Sequence, residues 1–188
     1  MPDPSTATTI GTLVVRRPAL AHPSLLAEPV AAALAAWPEA DQVGVTEIDP
    51  DLADTAALVA AHQVPAEVSA NCVVVAGRRE GVERIAACVV LATTRADVNS
   101  YVRRALDVRK ASFLAMDEAV ERTGMEYGGI TPVGLPGSWR LLVDARVVQV
   151  PLAVIGSGVR RSKLVLPGRL LAGLPGAEVA DGLAVPAG

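Results

Sequence analysis

The residue types best suited to nucleophilic, general-base or metal chemistry are few here: His22, His62, Cys72 and Cys88. Neither histidine stands at metal-ligand spacing from a cysteine or from the other histidine, so no metal site is expected. Both cysteines fall in apolar, β-branched runs, where a thiol serves as a small buried hydrophobe rather than a nucleophile. No Walker loop occurs, and no G-x-G-x-x-G opens a helix after a strand, so no cofactor is expected. Backbone amides and cations remain. The segment Gly128-Gly129-Ile130-Thr131-Pro132 sets two adjacent glycines ahead of a proline. Glycine tolerates positive φ and close approach, so successive N–H groups can converge on one oxygen. Downstream, Gly156-Ser157-Gly158 leads through Arg160 and Arg161 to Lys163, a flexible loop with three cations. That composition suits a phosphate or a ribose edge. Taken alone, each segment is equally an ordinary turn or a solvated basic hairpin.

The elements that must position these loops follow from hydrophobic pattern and caps. Thr12–Val15 reads as a short strand, and Ser24 as the N-cap of a helix through Leu34, with Pro29 near its first turn. Residues 43–48 alternate as a strand, and Asp54 caps a helix over 55–62. Residues 72–76 and 85–91 are continuous β-branched runs around the polar segment 77–81, which predicts a hairpin of central strands. Asp97 caps a helix carrying Val98, Tyr101, Val102 and Ala105 on one face. A strand at 112–114, a helix from Asp117 stopped by Gly124, and strands at 141–143, 152–155 and 164–166 complete the pattern. A short helix is expected with Pro167 at its first position. Strands at hairpin spacing with interposed helices define an α+β (mixed α/β) class.

The chain has 188 residues, 51% of them hydrophobic but only 3% aromatic, so one domain over 1–188 is expected, with a core of Ala, Val and Leu. The Pro-, Ser- and Thr-rich residues 1–9 read as mobile. No apolar run reaches the roughly 18 residues of a membrane span, and the first residues lack a signal-peptide pattern. A soluble, cytoplasmic protein with no membrane partner is expected. The net charge of −3 divides into −7 over residues 1–70 and +4 over 71–188, which is compatible with an anionic ligand on the C-terminal part.

In order, Ser69-Ala70-Asn71-Cys72-Val73-Val74-Val75, the Gly/Pro loop 124–134, Asp144 and 156–163 resemble the YbaK/EbsC family, aminoacyl-tRNA deacylases also found as the editing insertion of bacterial prolyl-tRNA synthetases. The resemblance spans roughly residues 45 to 183. It implies a compact mixed β-sheet, partly barrel-like, with flanking helices, and trans-editing hydrolysis of the ester in mischarged aminoacyl-tRNA. It implies catalytic roles for Asn71, Gly128, Gly129, Ile130 and Asp144, and substrate contacts from Thr131, Pro132, Ser157, Gly158, Arg160, Arg161 and Lys163. The implied partners are the tRNA acceptor end and an aminoacyl-tRNA synthetase. No protein nucleophile is implied, because a vicinal ribose hydroxyl of the substrate helps to activate water. Family members usually carry a lysine where this chain has Asn71, a change that keeps a donor and loses a charge. The alternative reading is therefore a non-hydrolytic relative that binds tRNA ends or a synthetase.

Overall fold

A computed structural model describes residues 8–187. In chain order the elements are β1 (Thr8–Ile10), β2 (Leu13–Val15), α1 (Glu28–Ala35), β3 (Gly44–Glu47), α2 (Thr55–His62), β4 (Ala70–Arg79), β5 (Val82–Leu91), β6 (Thr94–Ala96), α3 (Arg103–Ala105), β7 (Ala111–Phe113), α4 (Met116–Thr123), β8 (Arg140–Asp144), α5 (Ala145–Gln149), β9 (Ala153–Gly156), β10 (Ser162–Leu166), β11 (Ala177–Ala180) and β12 (Ala184–Pro186). Five strands form the principal sheet in the order β11-β8-β5-β4-β7; β3-β10-β9 form a second, and β1-β2 and β12-β6 are two-stranded ribbons. Within the large sheet β8 runs parallel to β5 and to β11, while β4 pairs antiparallel with β5 and β7. The fold is mixed α+β. A parallel bridge, Ser69↔Val154, links the start of β4 to β9, so the principal sheet and the three-stranded sheet join, and no closed barrel forms among the described strands.

The β4–β5 hairpin is the spine. Its strands pair from Ala70↔Leu91 to Arg79↔Val82 and turn at Glu80-Gly81, both at positive φ as a tight hairpin turn requires. Alternation along β5 sends Ala87, Val89 and Leu91 into the larger core and Ala86, Cys88 and Val90 into a second core on the opposite face. Two apolar faces are what a central strand needs. The same alternation sets Cys72 beside Val89 and Cys88 beside Val73, on opposite faces of neighbouring strands, so the free thiols cannot pair.

Local signals explain most boundaries. Asp54 accepts from the N–H groups of Ala56 and Ala57 to start α2, and Asp97 accepts from Ser100 and Tyr101 to start a π-helical turn, Val98–Val102, that runs into α3. Gly124 ends α4 at φ +66. Helix α1 begins after Ala27 rather than Ser24, with Pro29 in its first turn; Pro23–Leu25 instead forms a 3-10 turn that buries Leu25. The segment after Pro167 is likewise a 3-10 turn, Gly168–Gly173. Most of the stretch expected to be mobile lies outside the described residues, but Thr8 and Thr9 pair with Val15 and Val14.

Strand β8 ends in Asp144, a buried carboxylate that ties three elements together. It caps α5 by accepting from the Arg146 N–H at 3.0 Å, binds the Arg146 guanidinium through both oxygens at 2.8 and 3.0 Å, and accepts from the Ala184 N–H of β12 at 3.1 Å. Burial pushes its pKa up, but the hydrogen bonds and charge of Arg146 outweigh burial and hold it below the ordinary aspartate value. The stability this carboxylate contributes is thus present above the ordinary aspartate pKa and lost in acid. Replacing Asp144 by Ala should cost about 2–3 kcal/mol, because it strips the cap and leaves Arg146 unpaired. In a chain of this size that is a fall in Tm of roughly 5–10 °C by calorimetry; an unchanged Tm would refute the tie.

Candidate functional site

A cavity of about 740 Å³ lies where the start of α2, the start of β4, the loop after α4 and the β9–β10 hairpin meet. Its most unusual occupant is Lys163. Along β10 the alternation sends Leu164 and Leu166 to the larger core, and Lys163 with Val165 to the face that packs on Leu58 of α2. Strand β10 is the middle of its sheet, paired with both β3 and β9, so the lysine is only 6% exposed. Its ammonium donates to the Ala53 carbonyl at 2.8 Å and to the Gly128 carbonyl at 3.3 Å. Burial lowers its pKa from 10.5 to about 8, the Asp54 carboxylate opposing the shift and the Arg160 guanidinium adding to it. At neutral pH the group is still mainly an ammonium, poorly solvated and facing a void.

Asn71 stands at the other wall, near the start of β4. Its Oδ1 accepts from the Thr55 hydroxyl at 2.5 Å, which holds the amide in place and leaves Nδ2 free to donate. Thr55 is the first residue of α2, and Asp54 caps that helix, so a single helix start positions both the carboxylate near Lys163 and the hydroxyl on Asn71. Cys72 also lines the cavity; burial, with a smaller contribution from Cys88, pushes its thiol far above the ordinary range and leaves it inert.

The third wall is the loop of residues 126–130. Gly128 adopts φ +81, and a Cβ there would approach the Arg160 guanidinium at 3.0 Å. The loop is laced to the β9–β10 hairpin: Glu126 N–H donates to the Gly158 carbonyl at 2.8 Å, and Gly158 N–H donates to the Gly129 carbonyl at 2.7 Å. Arg160 closes the rim, donating to the carbonyls of Tyr127 at 3.1 Å and Pro50 at 2.9 Å.

Of the residues singled out in the sequence, the cavity brings together Asn71, Gly128, Ile130, Arg160 and Lys163. The others lie elsewhere. The Gly129 N–H is used within its own turn, donating to the Glu126 carbonyl at 2.9 Å, and a Cβ on Gly129 would meet the Val159 backbone at 2.7 Å; close loop packing is its role. Thr131 and Pro132 are buried behind the loop, and the Thr131 hydroxyl has no partner among the described residues. Asp144 is committed to Arg146 and Ala184. Ser157 is fully buried outside the cavity lining, its hydroxyl 2.7 Å from that of Ser162 in the β9–β10 hairpin. Gly158 packs with φ +86 against Ala27, and the Arg161 guanidinium binds the Ser24 carbonyl. Thr55 and Tyr127 enter the cavity without having been foreseen: Thr55 reads only as a helix start, and Tyr127 only as a loop residue. Among the described residues, no three His, Cys, Asp or Glu side chains gather to hold a metal ion, and no helix is long and apolar enough to cross a membrane.

Comparison with solved structures gives the same architecture. A candidate trans-editing enzyme for prolyl-tRNA synthetase superposes with a TM-score of 0.70 at 22% identity, covering 86% of this chain and 97% of the other. A hypothetical protein superposes with a TM-score of 0.72 at 22% identity, covering 84% of this chain and all of its own. A larger protein of Marinobacter aquaeolei VT8, assigned to signal transduction, superposes at 0.55 and 18% identity, with 84% of this chain covering 30% of it. No curated protein sequence matches the chain. The model of the aminoacyl-tRNA editing domain matches residues 49–174, well over half of the chain and all the walls of the cavity, and the protein belongs to that family.

Proposed function

We propose that the cavity hydrolyses the ester joining a mismatched amino acid to the terminal ribose of tRNA, as a stand-alone domain acting in trans. The observation that carries the reading is Lys163, an ammonium kept at high burial beside a void. Burial, with the repulsion of Arg160, lowers its pKa to about 8, so the fold holds this charge in an unfavourable environment. A perturbed cation lining a cavity is a mark of a functional site. Family membership supports the substrate class.

In this mechanism water adds to the ester carbonyl carbon, and the carbonyl oxygen becomes an oxyanion. Lys163 Nζ and Asn71 Nδ2 donate to that oxygen, with the backbone at Gly128 and Ile130 shaping the wall behind it. The C–O bond to the ribose then breaks, and the departing ribose oxygen takes up the proton released by the water. A vicinal ribose hydroxyl helps to orient and deprotonate the water, so the inert Cys72 is no obstacle. The protein contributes position and oxyanion stabilisation, terms that supply several kcal/mol in a poorly solvated site. Arg160, without a carboxylate ion pair among the described residues, faces the acceptor-end phosphate at the rim. The alternative, a module that binds tRNA ends without hydrolysis, draws on Asn71, a neutral amide in place of a cation.

Two predictions separate these readings. Replacing Lys163 by Met should lower the deacylation rate of mischarged tRNA by about a hundredfold at pH 7, on the scale of a lost oxyanion donor. The ammonium form prevails below its pKa, so the ratio of parent to variant rates should be flat below pH 8 and fall above it. Equal rates of parent and Met variant from pH 6 to 9.5 would remove Lys163 from the chemistry. Burial of the charge also costs stability at neutral pH, a cost that fades as pH rises from about 8 to 10.5. The Met variant should therefore be at least as stable as the parent at pH 7 by thermal melting. Replacing Asn71 by Ala should slow deacylation roughly tenfold, the worth of one hydrogen bond of about 1–3 kcal/mol. A parent that deacylates no member of a mischarged tRNA panel but binds uncharged tRNA would establish the binding module instead.

A further inference from the structure

The chain holds one Phe, two Trp and two Tyr, and among the described residues the exposed large hydrophobics include two aromatic rings, Phe113 and Tyr127. Phe113 lies on the edge strand β7, and Tyr127 lies on the wall of the cavity with 54% of its surface open. An aromatic ring left in water forgoes the burial that would otherwise stabilise the fold.

The backbone beneath that ring is unusually well fixed. The Tyr127 carbonyl accepts from the Arg160 guanidinium at 3.1 Å, and the next carbonyl, of Gly128, accepts from the Lys163 ammonium. On the preceding side, Glu126 bonds the hairpin through its N–H, and its carboxylate accepts from the Arg160 N–H at 2.6 Å. A rigid main chain carrying one exposed ring is a preorganised stacking platform. The platform is rimmed by the Arg160 charge and stands one residue from the carbonyl that holds Lys163. A ligand lying on the ring with its acyl end in the cavity would therefore carry a flat π-face, an anionic linkage and a carbonyl within one short span. That is the chemistry of a nucleotide esterified at its ribose.

We propose that the Tyr127 ring stacks on the terminal nucleobase of the acceptor end, making residue 127 the positioning residue for the base. The proposal rests on the editing reading of the cavity and adds to it the subsite for the base. Stacking of this kind is sequence-tolerant because every base has a π-face, so Tyr127 sets affinity and orientation, and Arg160 engages the flanking phosphate.

The test uses the trinucleotide cytidyl-cytidyl-2-aminopurine, whose terminal base fluoresces and is quenched on stacking. The wild-type protein should quench it in a saturable titration. Tyr127→Phe should bind within about twofold of wild type with the quench retained, whereas Tyr127→Ala should bind roughly tenfold more weakly and lose the quench. Full quenching and unchanged affinity in Tyr127→Ala would overturn the platform, as would a wild-type protein that deacylates tRNA without quenching the probe. In that last case the hydrolytic reading stands and only the base subsite falls. A Tyr127-dependent quench in a protein that deacylates nothing would uphold the platform while the hydrolytic reading fails.

Discussion

A single buried charge organises the site. The Lys163 ammonium sits in the middle strand of a three-stranded sheet, and its two protein partners are the carbonyls of Ala53 and Gly128. Neither neutralises it. Carbonyl dipoles recover only part of the hydration an ammonium loses, which is why burial dominates its lowered pKa. The two partners lie on different segments, one just before α2 and one in the loop after α4. The same bonds that make the charge tolerable therefore fix the spacing of two cavity walls. An apolar residue at 163 would leave the fold without that internal strain and the cavity without its cation, the trade of stability for function seen at many catalytic centres.

Close backbone contact makes the arrangement possible. The β9–β10 hairpin and the loop of residues 126–130 approach so tightly that a Cβ on Gly156 would meet the Gly129 carbonyl oxygen at 2.4 Å. A Cβ on Gly129 would in turn run into Val159. With no side chains between them, the two loops bond directly, main chain to main chain, and little freedom remains for the carbonyl that faces Lys163. On the other wall, the start of α2 supplies the cap of Asp54 and the Thr55 hydroxyl on Asn71, so the amide and the ammonium are held across the same void by one helix terminus.

Much of this was legible in the sequence where a local rule decides the outcome. The β4–β5 hairpin follows from two β-branched runs around a polar turn, and α2 follows from Asp54 with no reference to anything distant. The Gly/Pro loop and the 156–163 segment carried the family resemblance, and the cavity draws Gly128, Ile130, Arg160 and Lys163 from them. What the sequence could not reveal is which member of a motif faces inward. Lys163 and Arg161 are two residues apart, yet one enters the cavity and the other reaches the Ser24 carbonyl. Asp144 looks like a free carboxylate until Arg146, two residues on, folds back over it. The short strands β1, β6, β11 and β12 were not read from the sequence: Thr8–Ile10 lies in the Pro-, Ser- and Thr-rich start of the chain, and β6, β11 and β12 are defined by partners far along the chain.

On the proposed mechanism Lys163 is a desolvated cation presented to the reacting ester. The chain contains only two lysines, Lys110 and Lys163, so carbon-13 labelling at the lysine ε-position yields two resonances, each followed by NMR against pH. The experiment is done with the free protein and with an adenosine phosphonate that mimics the tetrahedral intermediate. One resonance is predicted to titrate near pH 8 in the free protein, lost in Lys163→Met, and to move upward when the phosphonate anion binds beside it. A Lys163 resonance that titrates near 10.4 in the free protein, or one untouched by the bound phosphonate, would contradict the account.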